Sequence, residues 1–385
     1  MVKEFKFSSE DKLNLANAFK KIVDKKTDNM FLDTCVTIKE NKINKEFKAL
    51  AIDVGGTYLK LGLFEIKNNN EIKALAQAER FKILKDGSLK DVDLFEWICE
   101  KTKKYLEDNN VSGCLKAAMC FSYPLLHKSL KDGIIMTLGK NFPFKSLKSE
   151  CNVSLELNKV FEKNNINVNV EAVINDVTAT VTSSYRPGFD LYVGIVLGTG
   201  TNAGYIKKEG DEHVVINCEW AVFDHPTLKK TTFDKKIEKL LKDKNNVHYN
   251  PLDVLIGGYK FVEIINLIMK EKNLKELNLN EILEIQNSED KKYDETKKII
   301  YTVKKRNSVV IASLIFGIIE HFCPTGKILI TLNGSVFEYE FDMNLLEAEC
   351  DKLKEILEKH HYEIEYDVQK NASLIGAMKV LNNCV

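Results

Sequence analysis

Asp53, Gly55, Gly56 and Thr57, within LAIDVGGTYLKLGLFEI (residues 50–66), place a carboxylate, two residues without side chains and a hydroxyl where two apolar strands meet. A tight turn of this composition can aim the amides of Gly55, Gly56 and Thr57 outward into one anion-binding concavity. The Thr57 hydroxyl would stand beside them, and no Cβ at the glycines would hold phosphate oxygens away. Asp53 itself repels phosphate, so its carboxylate suits a hard cation, or a water of that cation, that travels with phosphates as Mg2+ does. The stretch is not a Walker loop, because no GK[ST] follows, and it is not GxGxxG, because a strand rather than a helix comes next. One such turn is as readily a plain hairpin. Gly198, Thr199, Gly200 and Thr201 repeat the chemistry between DLYVGIVL and NAGYI, and two such turns favour a pair of phosphate clamps. Asn333, Gly334 and Ser335, in LNGS, offer a third turn that would run along a nucleoside.

The elements that must carry these turns are strands and helices in alternation. Apolar residues recur at helical spacing from Ser9 to about Met30. FKALAIDVG, LKLGLFEIK and ALAQAERFKIL then read as a three-strand meander, and DLFEWICEKTKKYLEDN as a helix with one apolar face. LKAAMCFSYP, VNVEAVIND, DLYVGIVLGTGTNAGYI and HVVINCEW are strand-like. Asp234 to roughly Glu320 reads as helical, with a charged, solvated hairpin in NLKELNLNEILEIQNSEDKKYDETKK, and NASLIGAMKVLNN as a closing helix. At 385 residues the chain is long enough for two domains of α/β class.

Composition narrows the function. The 56 Lys and Arg balance 56 Asp and Glu, so net charge calls for neither nucleic acid nor a membrane surface. Arginine occurs only as Arg80, Arg186 and Arg306, so an anion site must draw on amides, hydroxyls or lysine. Nine scattered cysteines without a CxxC fit free thiols and a cytoplasmic location. No apolar run has the length of a signal peptide core or a membrane span, although export by a non-classical route would leave no such trace. His127 has no ligand partner at metal spacing and reads as a surface or satisfied histidine.

The ordered set DVGGT, FSYP, a lysine beyond it, IND, GTGTN, NCEW and NGS resembles the eukaryotic hexokinases of the actin-like sugar kinase superfamily, from about residue 12 to the end. The resemblance implies a two-domain actin-like (ribonuclease H-like) fold with an interdomain cleft. The small domain would comprise 47–176 plus 369–385, and the large domain 1–46 plus 177–368. It implies ATP and Mg2+ as cofactors, a hexose as the other partner, and phosphorylation at the 6-hydroxyl. Asp176 matches the general base. Ser122, Lys140, Asn175, Asn202 and Glu219 match sugar-site positions, and Lys140 would also balance charge near the reacting phosphoryl group. Gly55, Gly56, Thr57, Gly198, Thr199, Gly200, Thr201, Gly334 and Ser335 would hold the nucleotide, with Asp53 ordering Mg2+ through water. Outside that matching, an Asn-Asp pair after an apolar strand is a helix N-cap.

The chain departs from the family pattern at Tyr58, Gly139 and Asn333, where Asn, Thr and Asp are usual. Asn250 and Asp253, in NPLD, stand one methylene short of the family's Gln-x-x-Glu, and the paired shortening implies a segment set further inward toward the sugar. An alternative that these departures raise is a catalytically weak or inactive hexose sensor on the same scaffold. A second is a sister kinase acting on glycerol, acetate or an N-acetylated sugar. Retention of Asp53 and Asp176, which chemistry needs and sugar binding does not, favours the enzyme.

Overall fold

A computed structural model describes residues 2–23, 25, 29–38, 46–67, 71–136, 143–145, 147, 150–210, 212–243, 250–258, 260–337, 339–358 and 361–384. The chain divides into two compact units. The first holds Met1–Phe31, Gly188–Ala203 and Glu219–Val368, and the second holds Leu32–Pro187, Gly204–Cys218 and Gln369–Val385. Leu32–Ile38 pairs antiparallel with Glu212–Asn217, which pairs in turn with the strand that includes Gly204–Glu209, so these strands group with the second unit.

The second unit is organised by Phe47–Val54. This strand pairs antiparallel with Tyr58–Ile66 and parallel with Leu115–Phe121, which is parallel to Val168–Ile174. Strand residues alternate between faces. Leu50, Ile52 and Val54 join a core with Leu94, Phe95, Ile98, Val153, Leu157 and Phe161 of helices Leu94–Asp108 and Val153–Lys163. Ala49, Ala51 and Asp53 alternate with them, and the helix Ala372–Cys384 covers that other face. Small residues are needed there. A Cβ on Gly62, opposite Ala51, would lie 3.2 Å from Leu374, and one on Gly376 would run into the Ala179 carbonyl of helix Asp176–Ser183. Each fully buried aliphatic or aromatic side chain contributes about 1.5–3 kcal/mol, and the burial of Asp53, only 3% exposed, is offset by its pairing with Lys60 and Ser373.

The first unit has three parallel strands, Leu191–Leu197, Lys327–Asn333 and Glu363–Val368. Ser9–Lys20 and Glu340–Ile356 pack on the long helix Asp294–Phe322. Ser9–Lys20 begins with a capping box between Ser8 and Asp11 and stops well before Met30. The charged hairpin proves less solvated than its composition implies: Ile282 and Ile285 of Leu279–Asn287 are buried in a helical cluster with Ile299 and Val303. Leu32–Ile38, Glu340–Ile356 and the polar strand Glu363–Val368 have no counterpart in the sequence reading.

His127, which ends the short strand Leu125–His127, is neither exposed nor satisfied. Its Nδ1 is buried without a hydrogen-bond partner among the described residues. Burial pushes the imidazole down to about 4, against the opposing pull of Asp33 and Asp132. The folded chain keeps the ring neutral where the unfolded chain protonates it near pH 6.5, so stability is full above about pH 6.5 and falls as pH drops toward 4. The slope is at most about 1.4 kcal/mol per pH unit. Melts between pH 7 and 4.5 should show the wild type losing stability faster than His127→Gln. Parallel pH curves would refute this role.

Candidate functional site

In each unit the sequence-marked turns sit where parallel strands end. Because Phe47–Val54, Leu115–Phe121 and Val168–Ile174 run parallel, their C-terminal ends share one sheet edge. That edge carries Gly55–Thr57, then Ser122, then Asn175 and Asp176. The Ser122 N–H donates to the Val54 carbonyl at 3.1 Å, which fastens the first two together. The C-terminal ends of parallel strands are where α/β sheets commonly present ligand groups.

The hairpin turn is tighter than expected. Gly55 N–H donates to the Tyr58 carbonyl at 3.0 Å and closes the turn, so it is not one of three outward amides. The N–H groups of Gly56 and Thr57 have no partner among the described residues, and Thr57 and Tyr58 are exposed. Asp53 lies beneath. Its Oδ2 accepts from Ser373 Oγ at 2.6 Å and pairs with Lys60 Nζ at 2.9 Å. Lys60 faces Asp53 directly in the hairpin register, and the carboxylate charge raises the lysine's pKa against the opposing effect of burial. Cys120 faces Asp53 on the parallel side, and burial, then the charges of Asp53 and Asp176, push its thiol well above the ordinary range. Lys60, Asp53 and Cys120 thus form a row across three strands, with Asp176 close enough to act on the same thiol.

Asn175 and Asp176 do two jobs at once. Asn175 is the N-cap of Asp176–Ser183, and its Oδ1 accepts from the Thr178 N–H at 2.8 Å. Its Nδ2 is buried and unpartnered among the described residues. An unpaired buried donor costs about 1–3 kcal/mol, so a site that keeps one gains when a ligand oxygen arrives. Asp176, half-buried, opens the helix.

In the first unit, Gly198–Thr201 follows Leu191–Leu197, and Gly334–Ser335 follows the parallel strand Lys327–Asn333, so both turns share one edge. Gly334 has φ +117, and a Cβ there would run into the Leu197 carbonyl. Only glycine fits between the two turns. Thr199 and Ser335 are exposed. Thr201 is not: its N–H donates to Asp253 Oδ1 at 2.7 Å and its hydroxyl accepts from Trp220 Nε1 at 2.9 Å, so it braces the turn from behind. Gly198 N–H is likewise engaged, donating to the Gly200 carbonyl at 2.9 Å. Asn202 is buried, with Oδ1 accepting from the Ala203 N–H at 2.7 Å. Asn250 Nδ2 donates to Asp253 Oδ2 at 2.9 Å, which pairs these two with each other. Glu219 is half-buried in a left-handed conformation, φ 47 and ψ 42, that a side-chain-bearing residue adopts at a cost. Cys218 is fully buried, the ordinary fate of a free cysteine. Lys140 and Gly139 lie outside the described residues.

Lys60, Ser373 and Trp220 escaped the sequence reading. Lys60 was within reach of it, since a hairpin turned at Gly55–Thr57 sets it opposite Asp53. Ser373 was not, being 320 positions from the carboxylate it meets. Among the described residues no group of three or more His, Cys, Asp or Glu side chains could hold a metal ion. A Mg2+ that keeps most of its waters and takes phosphates as other ligands needs only one carboxylate nearby, and buried, lysine-paired Asp53 fits that outer position. No helix among the described residues is long and apolar enough to cross a membrane.

Two hexokinase family models match the chain, one over residues 1–185 and the other over 192–272 and 269–381. A hexokinase of Schwanniomyces occidentalis is 28% identical over 249 residues, covering 59% of this chain and 51% of that protein. Hexokinase-1 of Schizosaccharomyces pombe is 29% identical over 213 residues, covering 51% and 44%. The chain spans about half the length of the curated relatives it matches. Among solved structures, the hexokinase from Schistosoma mansoni complexed with glucose aligns with TM-score 0.81 at 20% identity, over 100% of this chain and 97% of that one. That likeness shows the two-domain actin-like sugar kinase fold. With family matches running nearly end to end and strand-end turns where the motifs predict them, the chain belongs to the hexokinase family.

Proposed function

We propose that this chain transfers the γ-phosphoryl group of ATP to the 6-hydroxyl of a hexose, with glucose the first to test. The observation that carries the reading is the pairing, at one strand end, of the Asp176 carboxylate with a buried Asn175 amide whose Nδ2 still wants an acceptor. A sugar hydroxyl supplies that acceptor. The solved relative from Schistosoma mansoni holds glucose, which points to the same substrate class.

Phosphoryl transfer asks a protein for positioning, charge stabilisation and a base. Asp176 accepts the proton of the 6-hydroxyl as its oxygen attacks the γ-phosphorus. Ser122, Asn175, Asn202 and Glu219 orient the hexose, with Lys140 as a further cation. Gly56 and Thr57 offer amides to phosphate oxygens, as do Thr199 and Gly200, while Gly334 and Ser335 lie along the nucleoside. Mg2+ bound with the nucleotide would supply charge neutralisation for the transferring phosphoryl group; Asp53, whose carboxylate Lys60 and Ser373 fix, would hold it through water.

A panel of hexoses with ATP and Mg2+, read as ADP release, tests the function. No hexose-dependent release above background would sink it. Within that reading, Glu219→Gly relieves the left-handed backbone and removes a sugar ligand together. Stability should stay within about 1 kcal/mol of wild type or rise, while the hexose KM climbs at least tenfold. An unchanged KM would remove Glu219 from the sugar site.

A further inference from the structure

The segment from Asn250 to Gly258 grips the Gly198–Thr201 turn at both ends and with both polarities. At the far end, the Thr201 N–H donates to Asp253 Oδ1 at 2.7 Å. At the near end, the Gly198 carbonyl accepts from the Gly258 N–H at 2.8 Å. Asn250 Nδ2, at 2.9 Å from Asp253 Oδ2, sets the orientation of the carboxylate. The fit leaves little slack: a Cβ on Gly200 would stand 2.8 Å from Asp253 Oδ1, and one on Gly258 would collide with the Gly198 carbonyl. The helix Pro251–Ile256 that carries Asp253 is itself anchored, because Arg306 Nη2 donates to the Leu255 carbonyl at 2.8 Å.

We propose that Asp253 is a positioning residue for the nucleotide: it fixes the phosphate-facing turn through the Thr201 amide and does not recognise the hexose. This rests on the reading of Gly198–Thr201 as a phosphate clamp. The shorter side chain follows from the geometry. With Gly200 already at the contact limit, a glutamate carboxylate, one carbon further out, would push the turn away. An aspartate reaches the amide without doing so.

The test compares Asp253→Ala and Asp253→Asn with wild type by calorimetric binding of glucose and of MgATP, and by amide hydrogen exchange across 198–201 without ligand. Asp253→Asn keeps an acceptor for Thr201 and guards against loss of the fold. Asp253→Ala should speed exchange at Thr201 at least tenfold and weaken MgATP binding at least tenfold, with glucose affinity within twofold. Asp253→Asn should stay within about threefold of wild type on all three. A glucose affinity that falls tenfold with MgATP binding intact would overturn the proposal and return Asp253 to the sugar site. Faster exchange without loss of MgATP affinity would overturn it as well. A wild type that binds glucose but no MgATP defeats the kinase reading and the turn's assigned ligand together, whatever the exchange rates show.

Discussion

Asp176→Ala is expected to lower kcat by about 10²- to 10⁴-fold, the range typical of a lost general base, with the hexose KM changed far less. The effect should be chemical rather than structural. Asp176 is the first residue of its helix, but the cap is Asn175, whose Oδ1 holds the Thr178 amide. A first-turn carboxylate contributes only about 0.3–1 kcal/mol through the helix dipole. A rate loss of that size corresponds to about 3–5 kcal/mol of activation free energy, so the two contributions separate cleanly. Coupled ADP-release kinetics with a parallel thermal melt check the expectation. A variant within tenfold of wild-type kcat would mean that another group takes the proton and that Asp176 only binds.

The second large effect is expected far from any reacting atom. Arg306 is fully buried and divides its guanidinium among three partners. Nη1 donates to both Asp234 oxygens at 3.1 and 3.0 Å, Nη2 to the Leu255 carbonyl at 2.8 Å, and Nε to Asn307 Oδ1 at 2.9 Å. Asp234 is buried too, with Thr231 donating to it from both its backbone amide and its hydroxyl. Arg306→Ala strands that carboxylate and the Leu255 carbonyl, at a cost of about 3–5 kcal/mol. This is a large share of a typical stability of about 5–15 kcal/mol. Arg306→Lys should recover little, because a point ammonium cannot serve a carboxylate, a carbonyl and an amide in one plane. Urea unfolding would show a lower midpoint for both variants, and Arg306→Lys within 1 kcal/mol of wild type would contradict the account. In a chain that uses lysine almost everywhere, the retained arginine marks a place where fork geometry matters more than charge.

The motifs were legible because the turns depend on local composition. DVGGT and GTGT announce themselves through glycine and hydroxyl residues between apolar strands, and IND does so as a cap after an apolar strand. What the turns do with their amides was not legible. Gly55, Gly198 and Thr201 looked like donors to phosphate, yet Gly55 closes its own hairpin, Gly198 donates to Gly200, and Thr201 donates to Asp253. The first two strands of the meander read correctly, whereas the third is two short strands, Ile72–Ala74 and Glu79–Lys82, that each pair with Tyr58–Ile66. Glu363–Val368 carries a local signal too, since EIEYDV alternates acidic and apolar residues, but a reading that looks for apolar runs passes over it; it pairs parallel with Lys327–Asn333. His127 was misplaced since burial without a partner is a property of its surroundings.

By itself the sequence determined the chemistry available at the strand ends: which turns lack side chains, where carboxylates stand, and which family pattern they follow in order. Those are properties of residues and their near neighbours, fixed by φ/ψ preference and side-chain type. Tertiary structure alone decided which groups are spent on one another. Ser373 reaches Asp53, Asp253 reaches Thr201 and Arg306 reaches Asp234 across long stretches of chain. Such pairings arise only when packing brings buried polar groups together and the cost of leaving any of them unpaired selects the partner.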